Sequence, residues 1–186
     1  MPNTKPDLHF DEEGVCDACR SQGAKNNNIH WKQREKEFLE LVKKHNKHPD
    51  YDCVIGVSGG KDSTAVTMKM LETLESLPPP IRKTKQCYVT CVNTLVEAPP
   101  VINHVHQFIT SLKEYIRDRD LPVKVIELTP DEDQTFWVNL IGRGYPTPVR
   151  EFRWCTDRMK IRPQTKFVQE NKDIFGDPPI IHFLLG

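Results

Sequence analysis

The chain has no run approaching the roughly 20 apolar residues of a membrane span. Its first residues, "MPNTKPDLHF", lack the basic and apolar regions of a secretory signal. Net charge is also missing: 26 basic and 26 acidic side chains cancel. Any contact with nucleic acid must therefore come from a local patch or a companion protein, not from a whole-molecule field. These absences point to a cytoplasmic protein with no membrane partner. At 186 residues there is room for one α/β domain with a real core.

What is present falls into two parts. Residues 1–48 form an arm: turn formers and polar residues up to "NNN", with Cys16 and Cys19 as a C-x-x-C inside. An amphipathic helix follows from Ile29 to about Asn46, with Trp31, Phe38, Leu39, Val42 and His45 at helical spacing and Asn28 placed to cap it. The arm before that helix reads as irregular. Residues 49–186 alternate strands with helices. The strands are "CVIGV", "QCYVTCVN" and Val123 to Leu128. Between them lie helices from Ser63 to about Leu77 and from about Pro100 to Arg119. This alternation requires right-handed crossovers, hence a Rossmann-like α/β domain whose mostly parallel sheet carries helices on both faces. A segment from Thr129 to Ile161 has little periodicity, and a loop that long is usually functional. A short helix near Gln164 to Glu170 and a last strand in "PIIHFLLG" follow. That strand ends the sequence where a site-forming loop is expected, as in a truncated domain.

The six cysteines separate by setting. Cys53, Cys87 and Cys91 lie in apolar, β-branched runs and read as core or strand-end residues. Cys16 and Cys19 are either a zinc knuckle or a solvent-facing pair. A closed zinc site needs about four ligands, so this pair would have to recruit His9, His30 or another chain. Cys155 sits among Arg153, Asp157, Arg158 and Lys160. His104 and His106 read as surface residues of the second long helix.

"YDCVIGVSGGKDSTAVTMKML", Tyr51 to Leu71, carries most of the chemistry. It fails G-x-x-x-x-G-K-[ST] at Ile55 and Asp62, and it lacks the third glycine of the dinucleotide fingerprint. What remains is a strand, two glycines, a charged pair and two hydroxyls opening a helix. Glycines let amides approach oxygens closely and a helix N-terminus favours an anion, so a phosphate or pyrophosphate is the natural guest. The alternative is a tight turn capped by Ser63.

"SGGKDS" resembles the PP-loop of the ATP pyrophosphatases, which cleave a nucleotide between its α- and β-phosphates. By position, the resemblance implies that Ser58, Gly59, Gly60, Lys61, Asp62, Ser63 and Thr64 cradle the pyrophosphate of ATP. Lys61 would offset charge on the leaving group and Asp62 would help to hold Mg²⁺. Asn93 and Thr94, ending the second strand, would line the adenosine side. The stretches "VNTLVEAPPV" and "TFWVNLIGRGYPTPVREFRWCTDRMKIRP", with the terminal "LLG", resemble the DndC and SspD proteins of bacterial DNA phosphorothioation, in the phosphoadenosine phosphosulfate reductase-like group. That resemblance spans about Tyr51 to Gly186. It implies activation of the DNA backbone for sulfur incorporation, with persulfide from a cysteine desulfurase and DNA brought by companion phosphorothioation proteins. Some members hold an iron–sulfur cluster on cysteines beyond the point where this chain ends, so none is expected here. It also implies catalytic roles for Lys61, Asp62, Cys155, Arg158 and Lys160, with Arg153 binding ATP. "MPNTKPDLHFDEEGVCDACR" is instead similar to the opening of the N-acetyl sugar amidotransferases. Two alternatives thus stay open: amidation of a sugar, and a nucleotide-binding subunit without chemistry of its own.

Independently of any family, Arg143, Arg150, Arg153, Arg158, Lys160 and Arg162 crowd into 20 residues whose only acids are Glu151 and Asp157. Such a cluster can clamp a triphosphate or a nucleic-acid backbone. Trp137, Tyr145, Phe152 and Trp154 supply apolar faces for packing or for stacking a base. Basic neighbours favour a Cys155 thiolate if they point at the sulfur. Otherwise Cys155 is a packing residue.

Overall fold

A computed structural model describes residues 8–44, 53–175 and 183–184. The expected end of the arm helix at His45 and Asn46, the boundary at 48/49 and most of "PIIHFLLG" lie outside these residues.

The chain divides into two compact units, Met1–Leu41 and Val42–Gly186. In the first, α1 (Asp17–Asn28) replaces the irregular arm expected there. None of its residues is buried, so it has no apolar stripe for periodicity to reveal. It forms through local signals instead. The Cys16 sulfur caps it by accepting from the Cys19 N–H, while Asp17 in the first turn and Lys25 in the last complement the helix dipole. Asn28 ends α1 and does not cap the next helix, α2 (Trp31–Lys44), whose first turn bonds to the His30 carbonyl.

The second unit is α/β. Strands β1 (Cys53–Val57), β2 (Cys87–Val92) and β3 (Val123–Leu128) pair in parallel, and a two-residue β4 (Phe183–Leu184) pairs in parallel with β1, giving the order β3-β2-β1-β4. Three helices follow their strands: α3 (Lys61–Ser76) after β1, the single turn α4 (Pro79–Arg82) behind it, and α5 (Pro99–Asp118) after β2. After β3, a 3₁₀ turn (Glu132–Gln134) and a π-turn (Val138–Gly142) fill the segment expected to be aperiodic. A broken helical run then combines α6 (Trp154–Thr156), a second π-turn (Asp157–Ile161) and α7 (Arg162–Glu170), and α8 (Lys172–Phe175) ends it.

The strand order decides which helices share a face. From β1 the chain steps outward to β2 and β3, then returns to β4 on the other side of β1. Right-handed crossovers therefore put α3 and α5 on one face and α7 on the other. On the α7 side, Val54, Tyr88, Val168 and Phe175 form a buried cluster with Ile126, Phe167 and Ile174 against it. Tyr88 and Phe175 lie 5.5 Å apart, centroid to centroid. On the opposite side, alternation along the strands directs Ile55, Val89 and Cys91 toward the buried stripes Met70–Leu71–Leu74 of α3 and Ile109–Leu112–Ile116 of α5. Outward growth on one side of β1 and return on the other put the switch point of the sheet beside β1, between β1 and β4. Among the described residues no helix is long and apolar enough to cross a membrane.

Candidate functional site

β1 ends at Val57, and the next residues turn within one helical pitch. Gly59 takes φ +74°, a backbone state that costs an ordinary residue about 1–2 kcal/mol. A Cβ there would also stand 2.8 Å from Val105 Cγ2 of α5. Gly60 is the N-cap of α3 and offers no side-chain cap. The helix thus opens at Lys61, two residues before the expected Ser63. Ser63 closes the turn: its hydroxyl accepts from the Ser58 N–H at 3.2 Å, donates to the Gly60 carbonyl at 3.1 Å and lies 3.2 Å from the Ser58 hydroxyl. Thr64 makes the first helical bond, N–H to the Gly60 carbonyl. The amides of Gly60, Lys61, Asp62 and Ser63 precede that ladder, at the end of a helix where the helix itself supplies no acceptors. Amides so placed at a helix start are the kind of group that attracts an anion.

The side chains beside the cradle point outward. Lys61 is 90% exposed and pairs at 2.9 Å with its neighbour Asp62, which is 69% exposed. A magnesium that arrives with a nucleotide needs only one or two protein carboxylates, and Asp62 fits that demand.

The turn reaches a cavity of about 210 Å³ through Ser58 and Ser63, while Gly59, Gly60, Lys61, Asp62 and Thr64 do not line it. Ser58 and Ser63 line it together with Asn93, Cys91, Glu97 and Glu127. Val57, Cys91 and Glu127 are register partners across three strands and form a row near the carboxyl edge of the sheet. Ile102, Val105 and His106 of α5 close one side. Lys160 and Gln164, one turn apart, close the other. Gln164 comes within 3.6 Å of where a Gly56 Cβ would be, so the strand is bare where α7 approaches. Burial, together with Glu127 and Glu97, pushes the Cys91 thiol up to about 11. Asn93 accepts from the Leu95 N–H, and Leu95 adopts φ +65°, an unusual state for a branched residue. That tight turn returns the chain so that Glu97 meets the cavity. Thr94 is buried at 2% exposure and bonds to Glu97, so it supports the wall from behind.

The basic segment is split by the helical run. Lys160 faces the cradle cavity, whereas Arg158 and Arg162 line a second cavity of about 370 Å³ with Lys166, Asp131 and Gln134. Arg158 is held by neutral groups: its guanidinium donates to Gln134 Oε1 at 2.5 Å and to the Tyr145 hydroxyl at 2.6 Å, and lies over the Tyr145 ring. Arg143 pairs with Asp133, and Arg162 with Asp157. Arg153 is the exposed N-cap of α6. Cys155 is half-buried and belongs to neither cavity wall. Trp154 packs inward, stacked on Phe136 at 5.4 Å with its indole N–H on the Pro146 carbonyl, while Trp137 stays 57% exposed.

In the other unit, the Cys16 sulfur accepts from the Cys19 N–H at 3.4 Å. That bond, with a second contact from the Cys19 thiol, holds the Cys16 thiol below its usual range, and Cys19 is raised in turn by Cys16. Cys16 is buried and Cys19 exposed. Among the described residues no group of three or more His, Cys, Asp and Glu is gathered to hold a metal, so His9 and His30 do not complete a set. The two sulfurs by themselves do not fit a closed zinc site.

Sequence reasoning placed Ser58, Ser63, Asn93 and Lys160 at one site, and the structure brings these together. It missed Glu97, Glu127 and Gln164 at the same cavity. Cys91 and Glu127 had a usable signal, their place at the carboxyl ends of strands. Gln164 had none, because its direction depends on the π-turn before it.

No protein-family profile matches the chain. It is similar to an uncharacterised protein of Methanocaldococcus jannaschii, 24% identical over 137 residues that cover 74% of this chain and 24% of the relative. The chain thus spans about a quarter of that relative's length.

Proposed function

We propose that this chain is a PP-loop ATP pyrophosphatase that cleaves ATP to AMP and pyrophosphate. In its full setting it would activate the DNA backbone for sulfur incorporation. The strand order, 3-2-1-4 with its crevice beside β1, fits a Rossmann-like, adenine nucleotide alpha hydrolase-like domain. The observation that carries the reading is a glycine-capped helix start whose Ser63, with Ser58, lines a cavity that Lys160 also lines.

The chemistry follows from charge. An acceptor oxygen attacks the α-phosphorus while the bond to the β-phosphate breaks, and its electrons leave on pyrophosphate. The cradle of Ser58 to Thr64 would hold that leaving group where its charge grows. Lys61, swung from Asp62 to phosphate, and Lys160 from the opposite wall would add charge-assisted bonds. Magnesium, held by Asp62, would supply further charge neutralisation. Asn93 and the Cys91–Glu127 row would face the nucleoside. Arg153, exposed at the start of α6, would bind phosphate only by swinging toward the loop, and Arg158 would act from the second cavity. On this reading a DNA phosphate oxygen becomes the adenylate and later departs with AMP when sulfur replaces it. The sulfur would come as persulfide from a cysteine desulfurase: the Cys155 thiolate would take its outer sulfur and release the donor thiol. The new persulfide would displace AMP from phosphorus, and a second thiol acting as reductant would cleave the remaining S–S bond as it is oxidised to a disulfide.

The test is product analysis of ATP and Mg²⁺ with the protein, with and without DNA and a persulfide donor. AMP and pyrophosphate in equal amounts are expected. ADP and orthophosphate as sole products would overturn the reading.

A further inference from the structure

His104 lies five residues before the buried stripe of α5 begins at Ile109 and belongs to the solvent side of that helix. Its ring nevertheless has a specific partner: His104 Nε2 is 3.1 Å from the Gly59 carbonyl oxygen. The next residue, Val105, sits where a Gly59 side chain would be. Two successive α5 residues thus engage one residue of the phosphate loop.

The geometry of a trans peptide gives this contact a consequence. The carbonyl of Gly59 and the N–H of Gly60 belong to one planar unit and point in opposite directions. The hydrogen bond to His104 draws the carbonyl toward α5. It therefore aims the Gly60 N–H away from α5, alongside the amides of Lys61, Asp62 and Ser63. Both residues flanking this peptide are glycines, the residues with least resistance to a flip of the plane. Flipped, the unit would present a carbonyl oxygen to the anion and cancel part of the cradle. Ser63 holds Gly60 from its own carbonyl side, so it does not restrain the Gly59–Gly60 peptide. Among the described residues, His104 makes the hydrogen bond recorded to the Gly59 carbonyl.

We infer that His104 is a positioning residue for nucleotide binding: by donating to the Gly59 carbonyl it holds the Gly59–Gly60 peptide with its N–H toward the phosphates. This rests on the reading of the loop as a phosphate cradle. His104 touches no reacting atom. Its effect should fall on affinity for the phosphate chain and leave the nucleoside end unchanged.

The experiment compares wild type, His104→Ala and His104→Gln by calorimetric titration with α,β-methylene-ATP, inorganic pyrophosphate and adenosine, alongside thermal melting. Wild type should bind the first two. His104→Ala should bind both about tenfold more weakly, the effect of one lost oriented donor, with its melting point and its adenosine affinity unchanged. His104→Gln, which keeps an N–H donor on a side chain of similar reach, should recover most of the loss. Equal affinity of wild type and His104→Ala for α,β-methylene-ATP overturns the inference and leaves the cradle standing. So does a glutamine variant as weak as alanine, or a loss matched by an equal loss for adenosine. Failure of wild type to bind either phosphate probe overturns the cradle and the inference together.

Discussion

The loop from Ser58 to Ser63 and the basic segment from Arg143 to Arg162 are both rich in groups that attract phosphate, but they are built in different ways. The loop works through backbone. Its side-chain cation, Lys61, points to solvent, while amides, a left-handed glycine and two hydroxyls shape the cradle. The basic segment works through side chains, and its π-turn sends Lys160 to one cavity and Arg158 to another. Six cations that look equivalent in sequence thus have different tasks. Arg143 and Arg162 are paired with acids, Arg158 ties Gln134 and Tyr145 to the helical run, and Lys160 faces the cradle.

The comparison can be broken most severely at Gly59. Gly59→Val adds a side chain where Val105 already stands and forces a branched residue to φ +74°. Cost to the loop is expected at about 1–2 kcal/mol from the backbone alone, with the collision added. ATP affinity measured by calorimetry should fall by more than tenfold. Next in size are Lys61→Ala and Lys160→Ala, each removing a charge-assisted phosphate contact of ~1.5–3 kcal/mol. Turnover or affinity should drop about ten- to a hundredfold with the melting point unchanged, since neither side chain is buried. Arg158→Ala should show the reverse pattern. It leaves Gln134 and Tyr145 without their donor, lowering stability in urea by roughly 1–2 kcal/mol, and it should reduce ATP affinity less than Lys160→Ala does.

A smaller effect concerns pH. The Cys91 thiol is pushed from its ordinary 9.0 to about 11 by burial and by Glu127 and Glu97. The folded state therefore holds this proton where the unfolded chain releases it. Its contribution is complete below pH 9 and is lost as pH rises toward 11. The unfolding midpoint should decline across that window, and Cys91→Ala should flatten the decline. Last, Cys155→Ser should leave ATP affinity within about 0.5 kcal/mol of wild type while abolishing sulfur incorporation into DNA. Normal incorporation in that variant would make Cys155 a packing residue.

The same contrast explains what the sequence let one read. β3 has the expected bounds, and β1, β2 and α5 agree within a residue or two, because their signals are apolar runs and helical periodicity. The tight turn from β1 into α3 was legible because glycine and hydroxyl positions act through local backbone. α1 was not, since a solvent-exposed helix capped by a sulfur carries no apolar pattern. Neither was the parting of Lys160 from Arg158, because two residues two apart on a helix face different ways and the sequence here showed no helical period. His104 does lie at the surface, as its place on α5 suggested, but its hydrogen bond carried no sequence signal. Its partner is a carbonyl 45 positions away.

The bond that breaks is decided most directly with two ATP analogues, one carrying methylene in place of the β,γ-bridging oxygen and one in place of the α,β-bridging oxygen. The cradle reading expects the β,γ-methylene analogue to be turned over to AMP in the presence of Mg²⁺ and acceptor, and the α,β-methylene analogue to bind without reacting. Turnover of the α,β-methylene analogue with release of orthophosphate, while the β,γ-methylene analogue stays intact, would contradict it.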